Sequence, residues 1–282
     1  MFHRTTGSHL INTPDSTFRL NKFISDTGLC SRREADRLIE EGRVRVNGQP
    51  AQLGARVTTQ DRIEVNGKPL GQRSVPVYLA YYKPTGVVCT TDEAEPDNIT
   101  RAVNYPERIF PIGRLDKYSE GLILLTNDGD IVNKILRAGN AHEKEYLVTV
   151  DRPLTEVALE AMRQGIPMMG TVTQPCQVTR KGAETCRIVL TQGLNRQIRR
   201  MCEYLDYRVM RLTRVRIMHL NTQGLKPGQW RKLTEDEVSE LEKRLLNSSK
   251  TKEASLPKVR RPLFVDRTSQ PKTERKIWKR PR

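Results

Sequence analysis

The chain has 282 residues, 49 Lys/Arg against 33 Asp/Glu and a formal net charge of +16. That length predicts two domains, or one large domain with something smaller. No run approaches the roughly 18 apolar residues of a membrane span, and no basic-then-apolar signal opens the chain, so a cytoplasmic protein away from membranes is expected. Five widely spaced cysteines without a CxxC pair, four scattered histidines and the lack of a Walker or GxGxxG loop argue against a disulfide framework, a zinc site and a nucleotide cradle. Neither metal nor cofactor is expected, and any chemistry must run on carboxylate, arginine and tyrosine.

Residues 1–17 lack periodicity and read as a flexible leader. A compact unit is predicted over residues 18–65. Leu20, Phe23 and Ile24 share one helical face, and Gly28 can end that helix. Ser31 to Glu34 reads as a capping box that opens a second helix, with Ala35, Leu38 and Ile39 inward and Arg33 and Arg37 outward. Val44 to Val46 and Arg62 to Val65 read as strands, each closed by Asn-Gly. Residues 66–76 have the Gly/Pro/Ser content of a flexible linker.

A larger domain is predicted over residues 77–246. Val77–Tyr82, Val87–Cys89, Glu145–Val150, Cys186–Leu190 and Arg208–Leu212 look extended, while Ile131–Leu136, Leu194–Tyr204 and Glu235–Leu246 look helical. The elements mix without regular βαβ repetition, which predicts an α+β class. Residues 247–282 read as a disordered basic tail: from Lys250 onward twelve Lys/Arg face three Asp/Glu, so +9 of the +16 lies there. Such a tail suits a polyanion such as nucleic acid; a solubilising tail is the blander reading.

The first unit resembles the S4 RNA-binding domain through Arg19-Leu20-Asn21-Lys22-Phe23, Cys30-Ser31-Arg32-Arg33-Glu34-Ala35 and Gly42-Arg43-Val44-Arg45-Val46-Asn47-Gly48. The resemblance implies that Lys22, Arg32, Arg33 and Arg37 line the face that contacts RNA phosphates. In the larger domain, Gly113-Arg114-Leu115-Asp116, Ser119-Glu120-Gly121-Leu122 and Gly193-Leu194-Asn195-Arg196-Gln197-Ile198-Arg199-Arg200-Met201 carry a second resemblance. They are similar to the ribosomal-RNA pseudouridine synthases that bear an S4 domain. Asn133 to Asn140, His142 to Tyr146 and Met201-Cys202-Glu203 look most like the large-subunit type called F.

The family's fold would be a mixed, mainly antiparallel sheet with flanking helices, and its substrate here large-subunit ribosomal RNA, with a transfer-RNA anticodon uridine as a second target. A monomer is expected. The isomerisation breaks the N1–C1′ bond, turns the base and joins C5 to C1′, with no redox change, hydrolysis or metal. An aspartate can attack C1′, or take a proton from C2′ to give a glycal. A neighbouring guanidinium favours the ionised form it needs. The resemblance assigns Asp116 as that group, Arg199 as its partner and Tyr146 as the residue that packs on the base. It assigns Arg114 to the place vacated by the everted nucleotide and Leu212 to the far side of the uracil. Arg196 and Arg200 would touch phosphates, and Lys83 would contact substrate.

Each residue has a plainer reading: a turn aspartate, a solvated helix face, a core tyrosine, a strand-ending lysine. Asp92, Asp97, Asp128 and Asp130 are further carboxylates, in turn-like runs. Two rival functions keep the same scaffold: a non-catalytic RNA-binding or assembly factor, against which the intact Asp116, Tyr146 and Arg199 set argues, and a base-releasing glycosylase, for which no second water-activating carboxylate is apparent.

Overall fold

The computed structural model describes residues 17–137 and 141–248. The expected leader before Thr17, the expected tail beyond Ser248 and the motif residues Ala138, Gly139 and Asn140 lie outside the described residues. No helix among the described residues is long and apolar enough to cross a membrane.

In the first domain α1 (Leu20–Asp26) buries Leu20 and Ile24 and gives way to Gly28 at φ +83°. Helix α2 (Arg32–Glu40) buries Ala35, Leu38 and Ile39. Ser31 Oγ accepts the Glu34 N–H at 3.1 Å, but the expected capping box is half formed. The Glu34 carboxylate takes Arg37, one turn along, at 2.6 Å, because a charged i+3 partner outcompetes a lone amide. Strands β1 (Val44–Val46) and β2 (Ile63–Val65) pair antiparallel, with Val44 opposite Val65. Their inward residues complete one core with both helices.

Part of the expected linker is structured. Lys68–Pro69 extends the small sheet beside β2, and Leu70 packs against its core. Ser74 is tied to α1, its Oγ donating to the Thr27 carbonyl at 3.0 Å. Composition marks Gly and Pro but does not disclose which backbone partners await them.

The second domain comprises β3 (Tyr78–Lys83), α3 (Ile99–Val103), β4 (Phe110–Ile112), β5 (Glu120–Thr126), α4 (Gly129–Leu136), β6 (Lys144–Val150), α5 (Glu156–Gln164), β7 (Gln177–Arg180), β8 (Thr185–Leu190), α6 (Gln197–Tyr204), β9 (Val209–Ile217), β10 (Trp230–Lys232) and α7 (Glu235–Leu245). The main sheet runs β7-β8-β6-β9-β5-β3-β10, with β4 beside β5. Its pairs are antiparallel except β9 with β5. The fold is therefore α+β on a mixed, mainly antiparallel sheet, as expected.

Strand alternation divides the core. Ala80, Leu122 and Leu124 meet α4 and α7 on one face. Leu79, Tyr81, Ile123 and Leu125 meet α3 on the other, where Leu115 joins them. A third cluster packs α5 and α6 on β6, β8 and β9. At the parallel junction Gly121, at φ +103°, lies opposite Arg214, and a Cβ there would collide with the Arg214 backbone.

Some elements differ from their sequence reading. The strand expected at Arg208–Leu212 continues to Ile217, and Val87–Cys89 makes a single bridge, Val88 with Asn98. The helix expected from Leu194 starts at Gln197, because Arg196 sits in the left-handed region (φ 51°, ψ 33°).

Across the other face of β6, β8 and β9, the Glu145 carboxylate accepts Arg187 Nε at 2.6 Å and Arg216 Nε at 2.8 Å. The Arg187 hydrogen bonds, against burial and with the one from Arg216, hold the Glu145 carboxyl down at about 2. An unfolded glutamate titrates near 4.3, so the unfolded chain binds the proton first as pH falls. The stabilisation is fully present above about pH 4.3 and is lost toward pH 2. Glu145→Gln is expected to lower unfolding stability by about 2 kcal/mol at pH 7, with the difference from wild type fading across that window. Urea titrations at several pH values check this.

Candidate active site

Asp116 lies in the loop from β4 to β5, where the Ser119 N–H donates to its carbonyl at 3.0 Å. The loop is anchored from below. Lys83, the last residue of β3, is fully buried. Its Nζ donates to the carbonyls of Pro84 at 2.8 Å, Lys117 at 3.3 Å and Ser119 at 2.7 Å. Burial pushes its pKa below the ordinary value, against the opposing pull of Cys89, Asp116 and Glu120. Lys83 was expected to touch substrate; in the folded chain its donors are spent on the loop backbone, a positioning role. Cys89 adds to the anchorage, its Sγ accepting the Leu115 N–H at 3.3 Å.

Two guanidiniums flank the carboxylate. Arg199 Nε lies 3.7 Å and Arg196 Nη1 3.6 Å from Asp116 Oδ2. These are ion-pair distances beyond hydrogen-bond reach, and the Arg199 Nε–H has no hydrogen-bond acceptor. Arg199 is held elsewhere: Nη1 donates to the Val209 carbonyl at 3.3 Å, and Nη2 to the Tyr118 carbonyl at 3.0 Å and Ser119 Oγ at 3.2 Å. Its side chain is 12% exposed, against 43% for Arg196 and 33% for Asp116. The carboxylate is thus open to an incoming ligand while its inner partner is fixed. Arg196, expected only at phosphate, also reaches Asp116, a contact that its αL backbone at the start of α6 sets up and that periodicity does not reveal.

Tyr146 on β6 packs against both the Leu115 cluster and the cluster holding Leu212 and Ile198, and remains partly exposed. Leu212 is buried in the second of these. Arg114 is exposed on the Asp116 loop. Arg200 does not join them; it donates to Asn195 Oδ1 at 3.1 Å on the outer side of α6. Sequence reasoning gave Cys89 and Ser119 no role in holding this region and missed Arg214 altogether. Arg214 had a usable signal, since it stands two residues past Leu212 on the same strand face.

On the first domain Arg32 and Arg33 are exposed on α2. Arg37 is 60% exposed and pairs with Glu34, a surface pair that a phosphate can displace. Lys22 differs from expectation. It is 17% exposed and pairs with Asp26 at 2.6 Å and with Asp130, in the first turn of α4, at 3.1 Å. Its charge is spent joining the two domains, which only their docking could disclose.

Residues 77–204 match the RNA pseudouridylate synthase family, and residues 18–63 match the S4 domain. The chain is 53% identical over 266 residues to the dual-specificity RNA pseudouridine synthase RluF of Escherichia coli (strain K12), covering 91% of this chain and 92% of the relative. It belongs to the RNA pseudouridine synthases. The synthase is also 38% identical to the ribosomal large subunit pseudouridine synthase B of Bacillus subtilis (strain 168), over 79% of this chain and 95% of that one. A solved pseudouridylate synthase superposes with a TM-score of 0.59 at 29% identity, covering 79% of this synthase and 99% of that chain. The synthase is therefore an enzyme acting on RNA, and the reading as a non-catalytic assembly factor falls away.

Proposed function

We propose that Asp116 carries the isomerisation, on a uridine of large-subunit ribosomal RNA and, as a second substrate, on an anticodon uridine of transfer RNA. One observation carries the site: a carboxylate open to solvent lies between two guanidiniums, Arg196 and Arg199, in a loop locked from beneath. The likeness to a dual-specificity enzyme supports two RNA substrates. The target nucleotide leaves its stack to reach Asp116, Arg114 fills the space, Tyr146 packs on the uracil and Leu212 walls its far side. Asp116 then attacks C1′ or removes the C2′ proton; both routes need it ionised. Pseudouridine mapping of ribosomal and transfer RNA from a deletion strain tests the substrates. Sites should vanish from both RNA classes and return with the wild-type gene but not with Asp116→Asn. A transfer-RNA profile that stays unchanged confines the synthase to the ribosome.

The S4 domain supplies sequence-independent grip through Arg32, Arg33 and Arg37. Replacing Arg32 and Arg33 with Gln is expected to weaken RNA binding and to reduce the slope of log K against log salt by about 1.5, roughly 0.7–0.9 per phosphate contact. Filter binding between 50 and 200 mM salt, roughly the range where such contacts dominate, checks it. An unaltered slope removes Arg32 and Arg33 from the interface.

A further inference from the structure

Hydrogen-bond register across four strands places Lys83 beside Gly121, Gly121 beside Arg214, and Arg214 beside Tyr146. Gly121 has no side chain, so the Arg214 side chain can lie across β5, and its Nε donates to the Leu122 carbonyl at 2.7 Å. Arg214 is 4% exposed, yet its Nη2 has no hydrogen-bond partner. Lys144, two residues before Tyr146 on the same strand face, is 7% exposed. Burial, with Arg214 adding to it, brings Lys144 down to about 8. Burial also lowers Lys83, and Arg214 contributes there too. Two buried lysines thus flank the buried Arg214: Lys83 spends its three donors on loop carbonyls, Lys144 Nζ donates to the His142 carbonyl at 3.1 Å, and Arg214 Nη2 has no partner. The protein's own acids near Lys83, Asp116 and Glu120, are engaged: Asp116 with Arg196 and Arg199, Glu120 with Arg211 at 2.6 Å.

Such a cluster is costly unless an anion or a polar acceptor arrives. A phosphate stays with the ribose at the surface; an everted base is the one part of an RNA that reaches this depth. We propose that Arg214 Nη2 donates to a carbonyl oxygen of the everted uracil and stabilises the anion that the base becomes when its glycosidic bond breaks. The electron pair of N1–C1′ passes to N1 and spreads onto the ring carbonyls. C1′ is taken by the Asp116 carboxylate or, once Asp116 holds the C2′ proton, becomes part of a glycal. In both routes uracil carries the negative charge, and Arg214 keeps its protons throughout. When C5 joins C1′ the negative charge returns to the Asp116 carboxylate, either as the ester bond breaks or as the proton goes back to C2′; the proton then lost from C5 is balanced by one gained at N1. A donor aimed at charge that develops only during reaction acts on the chemical step more than on binding.

The inference rests on the Asp116 reading of the site, and its test reads a different quantity, the leaving group. Single-turnover conversion is followed by nucleoside chromatography on one large-subunit ribosomal RNA transcript made with uridine or with 5-fluorouridine. Fluorine makes the departing base a more stable anion that needs less help. Arg214→Met is expected to slow uridine conversion by about 100-fold, with filter-binding affinity within about twofold, since the interaction forms only as the base departs. On the 5-fluorouridine transcript, glycosidic cleavage and rearrangement should lag wild type by less than about tenfold, because less charge stabilisation is missing. Arg214→Lys, which keeps the charge, should recover part of the rate. Equal deficits on both transcripts, or a loss confined to RNA affinity, overturn the proposal and leave Arg214 a structural residue. If the Met variant loses its thermal transition, Arg214→Gln and Arg214→Lys supply the same comparison.

Discussion

Asp116→Asn is expected to cut tritium release from RNA carrying [5-³H]uridine by about 10⁴-fold or more, while RNA affinity moves by less than about threefold. The substitution keeps shape and removes only the charge and nucleophilicity of one oxygen. Little else should change, because the loop is held through backbone groups: the Asp116 carbonyl receives the Ser119 amide, and Lys83 and Cys89 hold its neighbours. Affinity comes from phosphate contacts spread over the surface, which the Asn variant retains. Release within about tenfold of wild type would rule out Asp116 as the reacting carboxylate, since no nucleophile is lost so cheaply.

Arg199→Met should lower kcat by about 10²- to 10³-fold, the scale of losing one preorganised electrostatic partner. Arg196→Met should cost about tenfold, because a half-exposed charge is screened by solvent. The distances to Asp116 are nearly equal, at 3.7 and 3.6 Å, so separation does not rank them. Anchorage does: Arg199 is 12% exposed and bonds Val209, Tyr118 and Ser119, so it fixes where α6 and β9 stand relative to the loop. Lysine at 199 should restore little, since a point charge cannot reach three separated acceptors. The double Met variant should be less impaired than the product of the singles, because both act on one carboxylate. Single-turnover tritium release with each variant reads these values. Equal effects at 196 and 199 would show that the free-chain anchorage does not survive RNA binding.

Much of this molecule was legible before any coordinates. Local rules placed α1 and α2, the Asn-Gly turns and the strands bearing Tyr146 and Leu212, because alternation, capping and turn chemistry act within a few residues. The motifs around Asp116, Tyr146 and Arg199 stood out as polar groups that packing does not require. What stayed hidden depends on residues far apart in the chain. Arg196 reaches Asp116 only through its left-handed backbone, and Lys83 spends its charge on carbonyls some 34–36 residues away. Lys22, expected at phosphate, pairs with an aspartate of the other domain.

The row from Lys83 through Gly121 and Arg214 to Tyr146 exists only because β5 and β9 meet in parallel, a pairing that no local pattern specifies. Sequence by itself determined which segments fold locally and which side chains are the candidates for the chemistry. Tertiary structure alone decided which charges face one another, because burial and long-range strand pairing set their distances and remove the water that would otherwise screen them.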